Sequence, residues 1–352
     1  IVEASHPVPD SAGENATRRL LEKVSNLASD DLVLALISGG GSALLCAPID
    51  GVSLKDKMDV NRALLASGAP IGDMNIVRKH LSRVKGGQLA VACHPAQLYT
   101  LMISDVPGDD PAMIASGPTV GETSTPHDAL ALIDQYKIEL PPHIRHAIAH
   151  SSYVVSPDNP LLGKCKNQIV AAPSLSLSQA ESIARKAGCD VQNLGDAIEG
   201  EARDLAVTQV QLARTMQEHV NKQGKPLLLL SGGECTVTRR GNGIGGPNAE
   251  FALSAAIALD ANPNIHVLAC DTDGVDGAAE VAGAYVNPKT LHIAETKGIS
   301  PQTALDQNDA HRFFDAIGGQ IVTGPTLTNV NDFRAILICP SEQSIAPNAY
   351  AH

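Results

Sequence analysis

Short runs of Leu, Ile, Val and Ala, each ending in glycine or small polar residues, recur along the chain and set its predicted elements. "DLVLALISGGGSALL" (31–45) reads as a strand, a Ser-Gly-Gly-Gly-Ser turn and a helix start, and "KPLLLLSGGECTV" (225–237) repeats the strand and a Ser-Gly-Gly turn. "AQLYTLMISDVPGDDP" (96–111), "IHVLACDTDGVDG" (265–277) and "GQIVTGPTLTNVND" (319–332) are strands running into loops of Asp, Thr and Gly. Helical periodicity fills 14–27, 55–67, 176–188, 196–220 and 248–259. Strands alternating with helices predict an α/β fold of βαβ units and mostly parallel sheets, covered on both faces. Ligands of such sheets bind beyond the carboxyl ends of strands, where these loops fall. "HSSYVVSPDNPLLGKC" (150–165) breaks the pattern and predicts one domain over 1–157 and a second over 158–352.

Composition narrows the function classes. The 352 residues, 43% of them apolar, suffice for two cores, built from aliphatic side chains because aromatics are only 3% and Trp is absent. A net charge of −12 argues against a nucleic-acid surface but not against a local site for a small anion. The seven cysteines are scattered and form no C-x-x-C pair, which suits reduced thiols in the cytoplasm better than a disulfide framework or a zinc site. No apolar run approaches the roughly 18 residues of a membrane span. The chain opens on "IVEASHPVPD", without Met and in mid-strand, so an upstream piece is expected. Oligomeric state is left open, a homodimer included.

Candidate chemistry lies at four kinds of place. Ser38-Gly39-Gly40-Gly41-Ser42 follows a strand, where bare backbone and a helix start suit phosphate. A tight structural turn has the same letters, and neither a P-loop nor G-x-G-x-x-G is matched. Ser231-Gly232-Gly233-Glu234 gives the same signal and adds a carboxylate. "RKHLSRVKGG" (78–87) packs Arg78, Lys79, His80, Arg83 and Lys85 against a double glycine. A helix over 76–84 would pair Arg78 with Ser82 and Lys79 with Arg83, leaving Lys85 at its end as the leading candidate for the reacting centre. Complementing a helix dipole is the plainer reading of such cations.

Acidic loops carry Asp105, Asp109 and Asp110 after one strand, Asp271, Asp273 and Asp276 after another, and Asp332 after Thr328 and Asn329. Clustered carboxylates repel unless a cation or hydrogen-bond donors compensate, and Mg²⁺ with a nucleotide would do so. Asx turns are the alternative. His6 sits in the Pro-restricted turn "ASHPVPDSAG", and "GPT" occurs at both 117–119 and 324–326.

These stretches, with "NIVRKHLSRVKGG", "ISDVPGDDPAMIASGPT", "LSGGECTVT", "GIGGPNAEFAL", "DTDGVDG" and "GPTLTNVND", occur in the order that identifies the chain as resembling the MOFRL-type glycerate 2-kinases, a family also labelled as hydroxypyruvate reductases. The resemblance implies a Rossmann-like α/β/α sandwich at the N-terminus and a smaller α/β C-terminal domain containing the MOFRL region, about 226–340, with the active site between them. It implies ATP-dependent phosphorylation of D-glycerate at the 2-hydroxyl, with Mg²⁺. On that expectation Ser38 to Ser42, Asp105 and Ser231 to Glu234 bind nucleotide, and Asp105, Asp109 and Asp110 serve the metal. Lys85, Arg78 and Asp273 are catalytic, while His6, Asn248, Asp271, Asp276, Thr328, Asn329 and Asp332 bind glycerate. The family's Gly-Lys-Ala motif near the start is not in this sequence, and its G-G-R-N-Q-E loop reads Gly245-Gly246-Pro247-Asn248-Ala249-Glu250 here. Two rival readings are a nicotinamide-dependent hydroxypyruvate reductase, for which no dinucleotide fingerprint is present, and a catalytically silent sugar-acid-binding protein.

Overall fold

A computed structural model of the chain describes residues 1–106 and 108–341 and divides into two compact units, Ile1–Val170 and Ala171–His352. The division falls at 170 rather than 157 because a 3-10 turn, Pro160–Lys164, leads into strand Cys165–Ala171, which joins the first unit's sheet. Of the expected second domain, residues 342–352 lie outside the described residues.

The first unit runs α1 (Ser11–Val24), β1 (Leu32–Ile37), α2 (Gly41–Leu44), α3 (Leu54–Ala66), α4 (Ile71–His80), α5 (Gln88–Cys93), β2 (Gln97–Ile103), α6 (Pro126–Gln135), α7 (Pro142–Ser151) and β3 (Cys165–Ala171). The sheet order is β1-β2-β3, with β1 and β2 parallel and Leu32 opposite Gln97. Local signals fix the helix starts. Asp10 accepts from the Gly13 amide ahead of α1, and Ser53 with Asp56, and Thr125 with Asp128, form reciprocal caps ahead of α3 and α6. The inward stripe of α3 is Lys57, Val60 and Leu64, against a core that includes Ile49, Val77, Leu81, Ile133 and Ile148. Strand β1 is apolar on both faces, as a doubly covered strand should be, yet Leu32, Leu34 and Leu36 are exposed.

The second unit runs α8 (Pro173–Lys186), β4 (Asp190–Asn193), β5 (Gly200–Glu201), α9 (Ala202–Gln223), β6 (Leu227–Gly233), β7 (Cys235–Thr236), α10 (Pro247–Leu259), β8 (Ile265–Asp271), β9 (Gly283–Val286), α11 (Thr290–Thr296), α12 (Pro301–Asp306), α13 (Ala310–Ile317), β10 (Gln320–Ile321) and β11 (Asp332–Ile338). The expectation of mostly parallel strands fails in its sheet, ordered β10-β9-β8-β11-β6-β4. Only β4 with β6 is parallel; β11 slots antiparallel between β6 and β8, and β9 turns back on β8. The buried helix α10 packs within its core, with Phe251 and Leu253 fully enclosed.

Candidate active site

In the first unit a cavity of ≈310 Å³ opens among His6, Pro7, Ser42, Lys57, Asn61, Leu64, Arg78, Leu81 and Lys85. It lies at the small end of the range for ligand sites. Lys85 is 1% exposed, and its Nζ donates to the Ser42 carbonyl at 2.9 Å and the Ala115 carbonyl at 3.2 Å, both neutral. Burial holds its ammonium well below the ordinary value, and the neighbouring charge of Lys57 pushes the same way. Arg78 donates to the side-chain oxygens of Asn61 (2.8 Å) and Asn75 (3.1 Å). Lys57 Nζ has no oxygen or nitrogen partner among the described residues, only the Cys46 thiol beside it. No ion pair among them involves Lys57, Arg78 or Lys85, although ion pairs are numerous elsewhere in this acidic chain. Three cations converge on one hollow without a carboxylate, and that arrangement favours an anion.

The rest of the cationic stretch divides by partner. Helix α4 ends at His80 rather than continuing to 84, so Ser82 and Arg83 do not share its faces. Lys79 is buried against Glu122, and His80 lies between Ser152 and Ser124. Arg83 is exposed beside Asp50. The double glycine, at φ 57° and 79°, lets the Gly86 and Gly87 amides dock on the carbonyls of Ser116 and Gly117, and Gln88 ties back to the carbonyls of Ser82 and Lys85. The glycines thus fix the backbone that carries Lys85.

The turn from Ser38 to Ser42 stands beside this cavity, with Ser42 in its lining. Gly40 has φ 77°, and its missing side chain leaves room for the His6 ring; a Cβ at Gly39 would collide with the Asp105 carboxylate. The turn, His6 and Asp105 are therefore gathered as expected. Asp110 is not: its Oδ1 accepts from the Ala112 amide, which is the Asx-turn reading. Among the described residues no three of His, Cys, Asp and Glu converge as a metal site, so Asp105, Asp109 and Asp110 do not form one centre. A nucleotide-bound Mg²⁺ needs only one or two carboxylates, and Asp105 beside the glycine turn fits that need.

In the second unit the expected residues join a hydrogen-bond network that satisfies its buried carboxylates, while Asn248 Oδ1 has no hydrogen-bond partner among the described residues. Asp276, fully buried, accepts from the Asn248 and Ala249 amides at the start of α10 and pairs with His311 at 3.1 Å. Asp332 accepts from Asn248 Nδ2 (2.6 Å), the Cys235 amide and Arg334. Ser231, Gly232 and Gly233 are not a turn: they lie inside β6 opposite β11, and Ser231 bonds Gln209. The Gly232 amide goes to the Gly195 carbonyl, and a Cβ at Gly233 would strike the Ile198 backbone, so these glycines admit a neighbouring loop. Glu234 follows them and is exposed. Asp273 is more open; it accepts from the Val275 amide and from Asn329. Asp271 accepts from the Asp273 amide and is pushed up to about 7, chiefly by burial. Thr328 Oγ1 is buried without a hydrogen-bond partner among the described residues. Pro247 takes the first position of α10, and Glu250 beyond it is buried on Arg203 and Asn308. A larger hollow of ≈540 Å³, lined by Asp190, Met216, His219 and Lys225, holds none of the expected residues, and its lysine is paired with Asp190.

Sequence reasoning missed Lys57 and Asn61. The signal was there for Lys57: it heads the apolar stripe Lys57, Val60, Leu64, whereas Lys55 points to solvent and pairs with Asp59.

Comparison with known proteins agrees in order and extent. Residues 1–149 match a family described as a domain of unknown function, DUF4147, and residues 227–332 match the MOFRL family. A protein of Agrobacterium vitis, named provisionally as a hydroxypyruvate reductase, is 48% identical over 96% of this chain and 77% of its own. The D-glycerate 2-kinase of Thermotoga maritima is 39% identical over 96% of this chain and 80% of its own. A crystal structure of glycerate kinase from Thermotoga maritima matches with a TM-score of 0.87 at 38% identity, covering 96% of this chain and 80% of that one.

Proposed function

Because the chain belongs to the MOFRL-containing glycerate kinase family, we propose that it moves the terminal phosphoryl group of ATP to the 2-hydroxyl of D-glycerate, with Mg²⁺, giving 2-phospho-D-glycerate and ADP. The observation that carries this reading is Lys85. It is a buried ammonium held only by neutral oxygens, beside the glycine turn and facing a hollow of substrate size.

Phosphoryl transfer asks a protein mainly for positioning and for charge neutralisation. The backbone of Ser38 to Ser42 would hold the nucleotide phosphates, and Asp105 would hold Mg²⁺. A bound Mg–ATP supplies the transferable group and screens part of its charge. Lys85, tied to the Ser42 carbonyl, adds positive charge at the turn, and the Arg78 fork, held in place by Asn61 and Asn75, adds more. In the second unit the loop 271–276 carries Asp271, whose carboxyl, with a pKa of about 7, is able to exchange protons near neutral pH.

The test is a coupled kinase assay with D-glycerate and Mg–ATP, with the phosphorylated carbon read by NMR. Formation of 2-phosphoglycerate supports the proposal. Phosphate on carbon 3, NADH consumption with hydroxypyruvate, or binding without turnover each overturns it.

A further inference from the structure

Lys57 has no structural reason to be a lysine. It stands on the buried stripe of α3, 8% exposed, among Val60, Leu64 and Leu81, where a Leu or Met would pack without desolvating a charge. Its ammonium lines the cavity and has no oxygen or nitrogen partner among the described residues, only the Cys46 thiol, a weak acceptor, beside it. The surrounding charges do not repair this. Burial holds its pKa below the ordinary 10.5, Arg78 pushes it further down, and only the Cys46 thiol, by charge and hydrogen bonding, and the charge of Glu14 act in the opposite sense. Lys85 is a further positive neighbour. The three cations also differ in their ties. Lys85 is bonded to the glycine turn and Arg78 to two asparagines, but Lys57 enters from a separate helix with no oxygen partner and only the Cys46 thiol beside it. Beside it the lining is apolar (Pro7, Val60, Leu64, Leu65), which suits a short carbon skeleton with one charged end.

We propose that Lys57 seats the carboxylate of the acceptor acid, and that it is the residue by which this cavity selects a small hydroxy acid over an uncharged alcohol. The proposal rests on the kinase reading for the identity of the acid. Lys85 is left for the phosphoryl side of the same hollow.

The experiment compares the wild type with Lys57→Met, Lys57→Gln and Lys57→Arg. The readouts are KM for D-glycerate, KM for ATP, kcat, calorimetric binding of D-glycerate without nucleotide, and thermal melting. Removing a charge-assisted contact should raise both the glycerate KM and its Kd by about 10- to 100-fold, with kcat changed far less and the ATP KM unmoved. Lys57→Arg should recover part of the loss. Lys57→Met should melt a few degrees higher than the wild type, because an unpaired buried charge has been replaced by a thioether. A merely structural lysine would give a lower melting point and an unchanged Kd. That result overturns the proposal, as does an effect confined to the ATP KM. If the wild type phosphorylates no glycerate yet binds it in a Lys57-dependent way, the kinase reading falls and the role of Lys57 stands. If the wild type turns glycerate over and Lys57→Gln does so with the same KM, the reverse holds. If the wild type binds no D-glycerate, the role of Lys57 falls.

Discussion

The two units bury charge in opposite ways. In the second, each deeply buried carboxylate among the described residues has its partners within the fold: Asp332 has Arg334, Glu250 has Arg203, and Asp276 has two backbone amides and the His311 ring. In the first, Lys79 has Glu122, but Lys57 and Lys85 have no carboxylate partner among those residues, and the half-buried Arg78 has only amide oxygens. Removing a charge from water costs several kcal/mol, and an ion partner offsets that cost when the geometry is good. A closed network is therefore explained by the fold alone. An open one needs something from outside the chain, and in a chain of net charge −12 the omission of carboxylates from that one hollow is selective.

The largest expected effect is on the closed side. Arg334→Met leaves Asp332 buried with its main counter-charge gone, and should cost about 3–5 kcal/mol of stability. Urea unfolding of the two proteins measures this; a loss under about 1 kcal/mol would mean that the network is not holding the second unit together. On the open side, Lys85→Met should lower kcat by about 100- to 1,000-fold with no loss in melting temperature. Near-native turnover would remove Lys85 from the reaction. The two variants together sharpen the contrast, one losing stability and the other activity.

Asp271 sits between these cases, and its effect is smaller and depends on pH. Its folded pKa of about 7 lies above the ordinary 3.8. The folded state therefore holds the proton more tightly than the unfolded chain does. The stability this provides is present below the unfolded value and is lost as pH rises to about 7. Asp271→Asn, which keeps an acceptor for the Asp273 amide, should match the wild type near pH 4 and exceed it in stability at pH 8. Equal urea midpoints at both pH values would show that the carboxyl is not held neutral.

How much of this was legible in the sequence follows from the range of each signal. Periodicity and caps are local, so the helices at 54–66 and 247–259 lie within a residue of the patterns at 55–67 and 248–259. The glycine turn, Lys85, Arg78 and His6 were likewise found from short stretches, and they do line one hollow or its rim. Strand pairing is not local. Nothing in "DFRAILI" announces that it will run antiparallel between β6 and β8, or that its arginine will close over Ser231-Gly232-Gly233 and turn an apparent loop into sheet. The network around Asp276 and Asp332 was hidden for the same reason, since Asn248, Ala249, Cys235 and His311 come from positions far along the chain. Lys57 was missed because cations were sought in clusters, whereas its mark was a single charge on an apolar stripe.

The smallest effect tests whether unpaired burial, rather than positive charge as such, marks the site. Arg83 belongs to the same stretch as Arg78 and Lys85, but it is an exposed member of a surface pair with Asp50 at 3.2 Å, the two side chains 55% and 74% exposed. Solvent screens such a pair, which contributes about 0–1 kcal/mol. Arg83→Gln should therefore leave kcat, both KM values and the melting temperature within experimental error of the wild type. If it instead raised the glycerate KM as far as Lys57→Met does, general attraction of anions to the stretch 78–87 would explain the data, and the distinction between paired and unpaired cations would lose its force.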